Sequence, residues 1–194
     1  MSLPVDEDHP TNPKGLYAVT NLAAEKMIQV YGDVFKIPAT CLRITNTYGA
    51  RHQMQHDEYG VFNWFVRKAL DNEALPVFGD GMIIRDFMYI DDLVECLLMT
   101  AQSEAAIGQV FNVGSGRGVT FREIAATIVE VIGSGSYKFT EFTQERAEVE
   151  PGDYWADISK ITRLVGWRPQ TDFSEGIKAT AEFYRAHRSH YWED

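Results

Sequence analysis

The chain has 194 residues, of which 45% are hydrophobic and 24% are charged, a composition typical of one soluble globular domain with at most a small additional lobe. Its formal net charge of −10 repels phosphate backbones, so we do not expect nucleic acid as a partner. No apolar run approaches the roughly 20 residues that span a bilayer, and no signal-peptide pattern opens the chain, so we expect no membrane partner either.

The cysteines and histidines do not suggest a disulfide or a metal site. Cys41 and Cys96 both lie in apolar stretches, which is typical of small buried hydrophobic residues, and a reducing cytoplasm is the expected compartment. His52 and His56 have the spacing of a helical metal pair. They lie in a polar stretch without a third ligand nearby in sequence, so we predict no metal there.

Hydrophobic periodicity predicts strands that alternate with helices. The first elements are a helix over about 13–31, ended by Gly32 and Asp33, an inner strand over 39–45 and a polar loop over 47–57. The later elements are predicted as helix 59–72, strand 75–78, strand 86–90, helix 91–102 capped by Asp91, strand 110–113, helix 120–132, strand 137–143, helix 157–166 and helix 173–187. The alternation indicates an α/β fold.

The helix over 120–132 has the best specified start. Thr120 is followed three residues later by Glu123, which is the spacing of a capping box. The preceding glycine-rich stretch, from Gly114 to Gly118, follows a strand and opens this helix, as a dinucleotide-binding loop would. Val119 stands where the last glycine of that motif belongs, so we do not predict a cofactor site there.

Tyr17 begins the first candidate site, near the start of the first helix. A tyrosine with a lysine four residues later, on the same helix face, forms an acid/base pair in which the positive charge favours the phenolate. Here the fourth position is Asn21. A tyrosine without a cationic neighbour has a pKa near 10 and is only about 0.1% phenolate at pH 7, so it is a poor base.

Asn46 and Arg85 form a second candidate site, because both lie next to predicted strands. Ligands of open α/β sheets bind beyond the carboxyl ends of the strands, which is where Asn46 is expected. Its amide can donate to a phosphate oxygen, and the Arg85 guanidinium can donate two hydrogen bonds to one phosphate group. Taken singly, a strand-end asparagine that stabilises its own turn and a solvated arginine remain open alternatives.

Several motifs together resemble one family. They are Tyr17 with its flanking residues, Arg43-x-x-Asn46-x-Tyr48-Gly49, and Phe78-Gly-Asp-Gly81 followed by Arg85-Asp-Phe87 and Asp91-Asp92. The combination resembles the C-terminal half of the extended short-chain dehydrogenase/reductases, the NAD-dependent nucleotide-sugar epimerases and dehydratases such as the UDP-glucose 4-epimerases. The resemblance extends over nearly the whole chain.

The resemblance implies a C-terminal portion of a Rossmann-type enzyme, with the last helix and strand of its parallel sheet and a smaller α/β substrate-binding lobe. Residues 1–57 would be the remnant of the NAD-binding domain, and residues 58–194 would mainly form the nucleotide-sugar lobe. Nothing before Tyr17 supplies the glycine-rich turn that holds NAD in this family. We therefore expect NAD in the complete family enzyme and no cofactor bound by this chain alone.

The resemblance also implies roles for particular residues. Tyr17 falls on the catalytic tyrosine, with Asn21 at the usual lysine position, and these two are the residual cofactor contacts. The residues that fall on substrate-binding positions are Asn46 and Arg85 for the diphosphate, Val77 and Phe78 for the base, and Arg146 with an acidic partner for phosphate and ribose. Either Glu150 or Asp153 can take that acidic role, and Asp153 is the candidate we carry forward.

Two functions follow as hypotheses. The first is the nucleotide-sugar-binding part of an epimerase or dehydratase, inactive alone, with a UDP-, dTDP-, CDP- or GDP-linked sugar as ligand. The second is a non-catalytic nucleotide-sugar-binding module or remnant. The strand over 39–45 would leave apolar surface and backbone edges unpaired if no further strands joined it. We therefore expect a homo-oligomer formed through exposed sheet or helix surfaces.

Overall fold

A computed structural model describes residues 3–55, 60–141, 150 and 152–192. Its helices are α1 (Leu16–Phe35), α2 (Val61–Leu70), α3 (Ile90–Gln102), α4 (Phe121–Ile132), α5 (Ser159–Val165) and α6 (Phe173–His187). Its strands are β1 (Cys41–Ile44), β2 (Asn46–Tyr48), β3 (Ala74–Phe78), β4 (Ile84–Arg85), β5 (Phe87–Tyr89), β6 (Val110–Val113), β7 (Val119–Thr120) and β8 (Ser136–Thr140). This order of elements confirms the predicted α/β class.

The strands pair over long sequence separations. Parallel pairs join β1 to β6, β2 to β5 and β3 to β8, and an antiparallel pair joins β4 to β7. In the first pair Cys41 lies opposite Val110 and Ile44 lies opposite Val113. A parallel pair needs a long crossover connection, so the helices between the strands are topologically required. The pairing brings residues of the first fifty positions beside residues past position 110.

The larger hydrophobic core lies among α2, α4, α6 and β3. We call its aromatic centre the aromatic core, made up of Tyr48, Phe62, Phe87 and Phe173. The ring centroids of Tyr48 and Phe62 lie 4.1 Å apart, and Phe62 is 2% exposed. Such ring pairs stabilise a fold beyond the area that they bury. A smaller core packs α3 and α5 against β5 and β6, with Phe111 and Trp167 buried within it.

The start of α4 matches its prediction. The Thr120 hydroxyl accepts from the Glu123 backbone N–H at 3.1 Å, and the Glu123 carboxylate accepts from the Thr120 N–H at 2.8 Å. The hydrogen bonds that its carboxylate accepts from the Thr120 N–H and hydroxyl lower the pKa of Glu123. Gly133 ends the helix in the left-handed conformation with φ 77°, a geometry that glycine adopts without strain. The predicted capping box is confirmed.

Helix α1 differs from the prediction in its bounds, and its surface is exposed. It continues past Gly32 and Asp33 to Phe35 and ends at Lys36, which takes the left-handed conformation with φ 56°. The helix contains no buried residue. Its large apolar side chains are largely open, with Met27 at 61% and Val34 at 63% exposure.

Two further local predictions were wrong. The expected loop over 47–57 begins with a strand, because residues 46–48 pair with β5. Asp91 does not cap the next helix: α3 already starts at Ile90 after Tyr89, so Asp91 lies in its first turn. An acidic residue there still interacts favourably with the positive end of the helix dipole. Both predictions took polar residues as signals of a loop or a helix cap. The pairing of β2 with β5 is a long-range contact that such local signals do not contain.

The remaining fold-level predictions concern domains, cysteines and membranes. The boundary between residues 1–57 and 58–194 stays a prediction, and β1 pairs across it with β6. Cys41 is partly buried, Cys96 is buried, and both thiols are free. Within the described part of the chain, no helix is long and apolar enough to cross a membrane.

Candidate functional site

The candidate site lies where β1 and β6 end side by side. The Thr45 N–H donates to the Val113 carbonyl at 2.9 Å, so the two strands reach their carboxyl ends together. Gly114 follows directly, and a Cβ there would lie 2.6 Å from an Asp86 carboxylate oxygen and 2.7 Å from the Thr45 methyl carbon. Glycine is required because these three chain segments approach so closely. This is the edge at which open α/β sheets bind ligands.

Asp86 organises this edge from inside the protein. Its side chain is fully buried and accepts from Ser115 N at 2.8 Å, Ser115 Oγ at 2.6 Å, Gly116 N at 3.2 Å and Ala156 N at 3.2 Å. Burial raises the pKa of Asp86, and the hydrogen bonds from Ser115 oppose that rise. Asp86 was not among the residues predicted for the site. An acid inside an otherwise apolar stretch was the signal available, since buried carboxylates require partners.

The glycine-rich loop over 114–118 uses several of its backbone N–H groups in hydrogen bonds within the protein. The N–H groups of Ser115 and Gly116 donate to Asp86, and the Arg117 N–H donates to Ser115 Oγ at 3.1 Å. A dinucleotide loop holds phosphate with N–H groups of this kind. Since two of these groups already donate to Asp86 and the third donates to Ser115, the loop does not fit the NAD diphosphate.

Asn46 and Arg85 both adjoin Asp86. Asn46 pairs with Phe87 in the strand register, and its Nδ2 donates to the Asp86 backbone carbonyl at 3.3 Å. Arg85 immediately precedes Asp86 at the end of β4. The two predicted diphosphate-binding residues are thus brought to one short segment although 39 positions separate their numbers (85 − 46).

The Arg85 guanidinium is engaged by the chain around residue 152. Its Nη1 donates to the Ile84 carbonyl at 2.8 Å and to the Gly152 carbonyl at 2.6 Å, and its Nη2 donates to a carboxylate oxygen of Glu150. The side chains of Arg85 and Glu150 are 12% and 25% exposed. This ion pair is therefore partly shielded from water, where charge pairs are stronger than at an open surface.

The other predicted substrate-binding residues that the structure describes do not contact Asn46, Arg85 or Asp86 in the hydrogen bonds given above. Asp153 accepts from the Ile84 N–H at 2.9 Å, so its carboxylate supports β4. Val77 is fully buried in the larger core, whereas Phe78 beside it is partly exposed. Of these two side chains, only that of Phe78 is accessible to a ligand. Arg146 lies outside the described residues.

Tyr17 and Asn21 line a different hollow, of about 710 Å³, between α1 and β1. Tyr17 is 83% exposed. Lys26 does not take the place of the missing lysine, since its Nζ donates to Glu25 and Gln29 side-chain oxygens at 3.2 Å each. The described residues include no group of three or more histidine, cysteine, aspartate or glutamate side chains that could hold a metal ion.

An ion pair attaches α1 to β1. The carboxylate oxygens of Glu25 accept from Arg43 Nε at 2.8 Å and from Arg43 Nη2 at 2.9 Å. The hydrogen bonds from Arg43 lower the pKa of Glu25. Arg43 Nη1 also donates to the Glu7 carbonyl at 3.0 Å. We call the pairing of Glu25 with Arg43 the α1 latch.

Parallel strand pairs with polar side chains at their carboxyl ends define an α/β protein of the Rossmann type. The chain belongs to the GDP-mannose 4,6-dehydratase family, whose model matches residues 1–180. This finding confirms the expected membership of the extended short-chain dehydrogenase/reductases.

Two similar relatives are UDP-glucose 4-epimerases by name. The chain is 33% identical over 183 residues to a putative UDP-glucose 4-epimerase of Methanocaldococcus jannaschii, covering 94% of this chain and 57% of the relative. It is 33% identical over 185 residues to the UDP-glucose 4-epimerase of Mycolicibacterium smegmatis, covering 94% and 56%. The chain thus spans about half the length of the curated relatives that it matches.

Solved structures agree with this relationship. The UDP-glucose 4-epimerase of Thermotoga maritima, crystallised with UDP-glucose, matches with a TM-score of 0.86 and 28% identity over 97% of this chain and 59% of that chain. The UDP-glucuronic acid 4-epimerase of Bacillus cereus, in complex with UDP-glucuronic acid and NAD, matches with a TM-score of 0.83 and 30% identity over 96% and 58%. The Rossmann-type fold expected from the sequence is confirmed.

Proposed function

We propose that this chain is the nucleotide-sugar-binding part of an NAD-dependent epimerase or dehydratase. The observation that carries the proposal is that Asn46 and Arg85 both adjoin Asp86, whose carboxylate binds Ser115 just beyond the carboxyl end of β6. A nucleotide sugar carries its negative charge on the diphosphate. An amide N–H and a guanidinium are suitable donors for those oxygens.

Each residue has a distinct part in the proposed complex. Arg85 donates to the diphosphate and Asn46 donates beside it, while the partly exposed ring of Phe78 packs against the base. Asp153 holds β4 through the Ile84 N–H, so in this proposal it positions Arg85 and reaches the ribose only if that bond opens. NAD, bound in the complete enzyme, would take and return a hydride, and Tyr17 would move the proton of the sugar hydroxyl.

The chain by itself does not catalyse the reaction in this proposal. Asn21 brings no positive charge to favour a Tyr17 phenolate, and the N–H groups of the glycine-rich loop already serve Asp86. The second candidate, a non-catalytic binding module, is favoured by these same two observations. The candidates differ in one respect: only the first regains hydride transfer when a cofactor-binding segment is supplied.

Calorimetry with UDP-, dTDP-, CDP- and GDP-linked sugars tests the binding. We expect one of the four to bind at a single site, and Arg85→Ala to weaken that binding by about tenfold, because a hydrogen bond to a charged group contributes about 1.5–3 kcal/mol. Arg163→Ala is the matched control, since Arg163 is exposed on α5 and its loss changes the net charge equally. Equal effects of the two substitutions, or binding of none of the four sugars, would refute the proposal.

A cofactor assay separates the two candidates. Hydride exchange between NAD and a bound sugar nucleotide should be absent with the chain alone, and NAD itself should not bind measurably. Adding a glycine-rich half from a relative should restore exchange if the chain is an enzyme part. Tight stoichiometric NAD binding by the chain alone would contradict both candidates.

We propose further that the chain self-associates through α1. The helix buries none of its residues, and large apolar side chains on it are more than half exposed, namely Leu16, Tyr17, Met27, Val30, Tyr31, Val34 and Phe35. An exposed apolar surface of this kind marks an interaction site. Light scattering at micromolar concentration should show a species larger than 22.0 kDa. A monomer would rule out this proposal while leaving ligand binding unaffected.

A further inference from the structure

Arg85, the proposed diphosphate-binding arginine, is already paired with a carboxylate of the same chain. Arg85 Nη2 donates to Glu150 Oε1, and the same oxygen accepts from the Gly152 N–H at 3.2 Å. Both donors on Arg85 Nη1 are engaged as well, by the Ile84 and Gly152 carbonyls. Three of the five N–H donors of the guanidinium are therefore committed inside the protein.

The contact places charges of opposite sign at one position. Arg85 contributes one positive charge and Glu150 one negative charge, so the pair is neutral as a unit, whereas a diphosphate brings negative charge to the same place. A phosphate oxygen that replaced the carboxylate would recover the Arg85 donor, but it would then lie beside a displaced Glu150 carboxylate. Like charges brought together in a partly shielded site oppose binding.

We infer that Glu150 is an affinity- and specificity-determining residue, because its carboxylate is an intramolecular competitor for the Arg85 guanidinium. The inference rests on the proposed function, since it takes Arg85 as the diphosphate contact. A ligand then binds the Arg85 guanidinium fully only if its oxygens accept these hydrogen bonds in better geometry than the Glu150 carboxylate does. The contact thus weakens binding of every anionic ligand and selects against small anions that have no second anchor.

A consequence follows for different parts of the ligand. Competition at Arg85 acts on the phosphate charge and leaves the nucleoside contacts unchanged. Removing the Glu150 charge should therefore strengthen binding of a nucleotide sugar and leave binding of the corresponding nucleoside unchanged. A purely structural role of Glu150, holding Arg85 in a productive position, predicts the opposite: weaker binding once the carboxylate is lost.

The experiment is a calorimetric comparison of Glu150→Gln with the unaltered chain. UDP-, dTDP-, CDP- and GDP-linked sugars are titrated together with the four free nucleosides. Glutamine keeps the size of the side chain and removes its charge. Glu95→Gln is the matched control, since Glu95 is exposed on α3 and the change in net charge is identical. Thermal melts of both variants verify that they are folded.

We expect Glu150→Gln to bind the preferred nucleotide sugar about tenfold more tightly, the size of effect that about 1.4 kcal/mol produces. Nucleoside binding should change less than twofold, and Glu95→Gln should leave both unchanged. The gain should largely disappear when Arg85→Ala is added, because no guanidinium is then released. Double-mutant analysis measures that coupling directly.

The outcomes separate this inference from the proposed function. If the unaltered chain binds a sugar nucleotide, Arg85→Ala weakens that binding and Glu150→Gln does not tighten it, the competition is disproved and the proposed function stands. An undiminished gain in the Arg85→Ala background would also disprove it, because Glu150 would then act without Arg85. If neither the unaltered chain nor Glu150→Gln binds any of the four sugars, the proposed function fails, and this inference fails with it.

Discussion

The aromatic core and helix α1 are held in place by different kinds of interaction. Phe62 lies at the centre of the aromatic core at 2% exposure and packs against three other rings. Helix α1, twice as long as α2, buries no residue at all and is attached through the α1 latch. Burial of apolar surface is the dominant stabilising contribution to most folds. The lobe built on α2, α4 and α6 has this contribution within the chain, whereas α1 does not.

This difference shows which part of the chain is self-sufficient. The apolar residues of α1 are arranged for a neighbour that the described residues do not provide. The strand β1 beside it contacts β6 along one edge, and Ile44 at its end is 46% exposed. Stability measured on this chain should therefore report mainly on the lobe, while association should report on α1.

The largest expected effect is on the lobe. Phe62→Ala should lower the free energy of unfolding by about 3–5 kcal/mol, since it removes a buried ring and leaves a cavity that rigid neighbours fill only partly. Chemical denaturation measures the change. The matched control is Phe35→Ala on α1, measured on the monomeric chain at low concentration, where the ring is 62% exposed and the cost should stay within about 0.5 kcal/mol. Similar losses for the two phenylalanines would invalidate the comparison between the regions.

The next effect is on the α1 latch. Glu25→Gln should cost about 1–3 kcal/mol, the usual contribution of hydrogen bonds to charged groups, because Arg43 loses its bidentate partner. Circular dichroism during denaturation would show loss of helix before the lobe unfolds. Glu95→Gln, at an exposed position on α3, is the control and should change stability by less than about 0.5 kcal/mol.

The pH dependence of the latch has a definite sign. Arg43 lowers the pKa of Glu25 in the folded chain, so the folded state holds fewer protons than the unfolded state as the pH falls. The stabilisation is fully present above the unfolded-state pKa of about 4.3 and is lost as the pH falls through the lower folded pKa. The difference between the unaltered chain and Glu25→Gln should therefore shrink below about pH 4. A difference that grew with acid would contradict the assignment.

Much of the local structure was predictable because its determinants lie close together in sequence. The capping box of Thr120 and Glu123 is a signal within four consecutive residues, and Gly166, the last residue of the predicted helix 157–166, ends α5 in the left-handed conformation. The end of α1 was not predictable in this way, because Lys36 adopts a conformation that residue type alone disfavours. The strand at residues 46–48 depends on a partner some forty residues away and carries no local signal of its own.

The candidate site likewise contains residues that local sequence marks and residues that only long-range contacts reveal. Asn46 and Arg85 were identifiable because strand ends and a family motif mark them. The buried carboxylate of Asp86, which ties the glycine-rich loop to both, depends on contacts with residues 115, 116 and 156. The contact of Glu150 with Arg85 joins positions 65 residues apart. Only the folded chain reveals that the acidic residue at position 150 binds the arginine proposed to hold the ligand.

The smallest expected effect on stability is at the exposed face of α1, and it tests the comparison most sharply. Val34→Gln replaces a side chain that is 63% exposed with a residue of good helix propensity, so a monomeric chain should change by less than about 0.5 kcal/mol. Self-association should weaken strongly, because a polar group would enter an apolar interface. Sedimentation or light scattering over a concentration series measures this, with Arg163→Ala on α5 as the control. If Val34→Gln instead destabilises the chain by several kcal/mol at every concentration, α1 is packed within a single chain in solution, and the distinction between a self-sufficient lobe and an unpartnered helix is wrong.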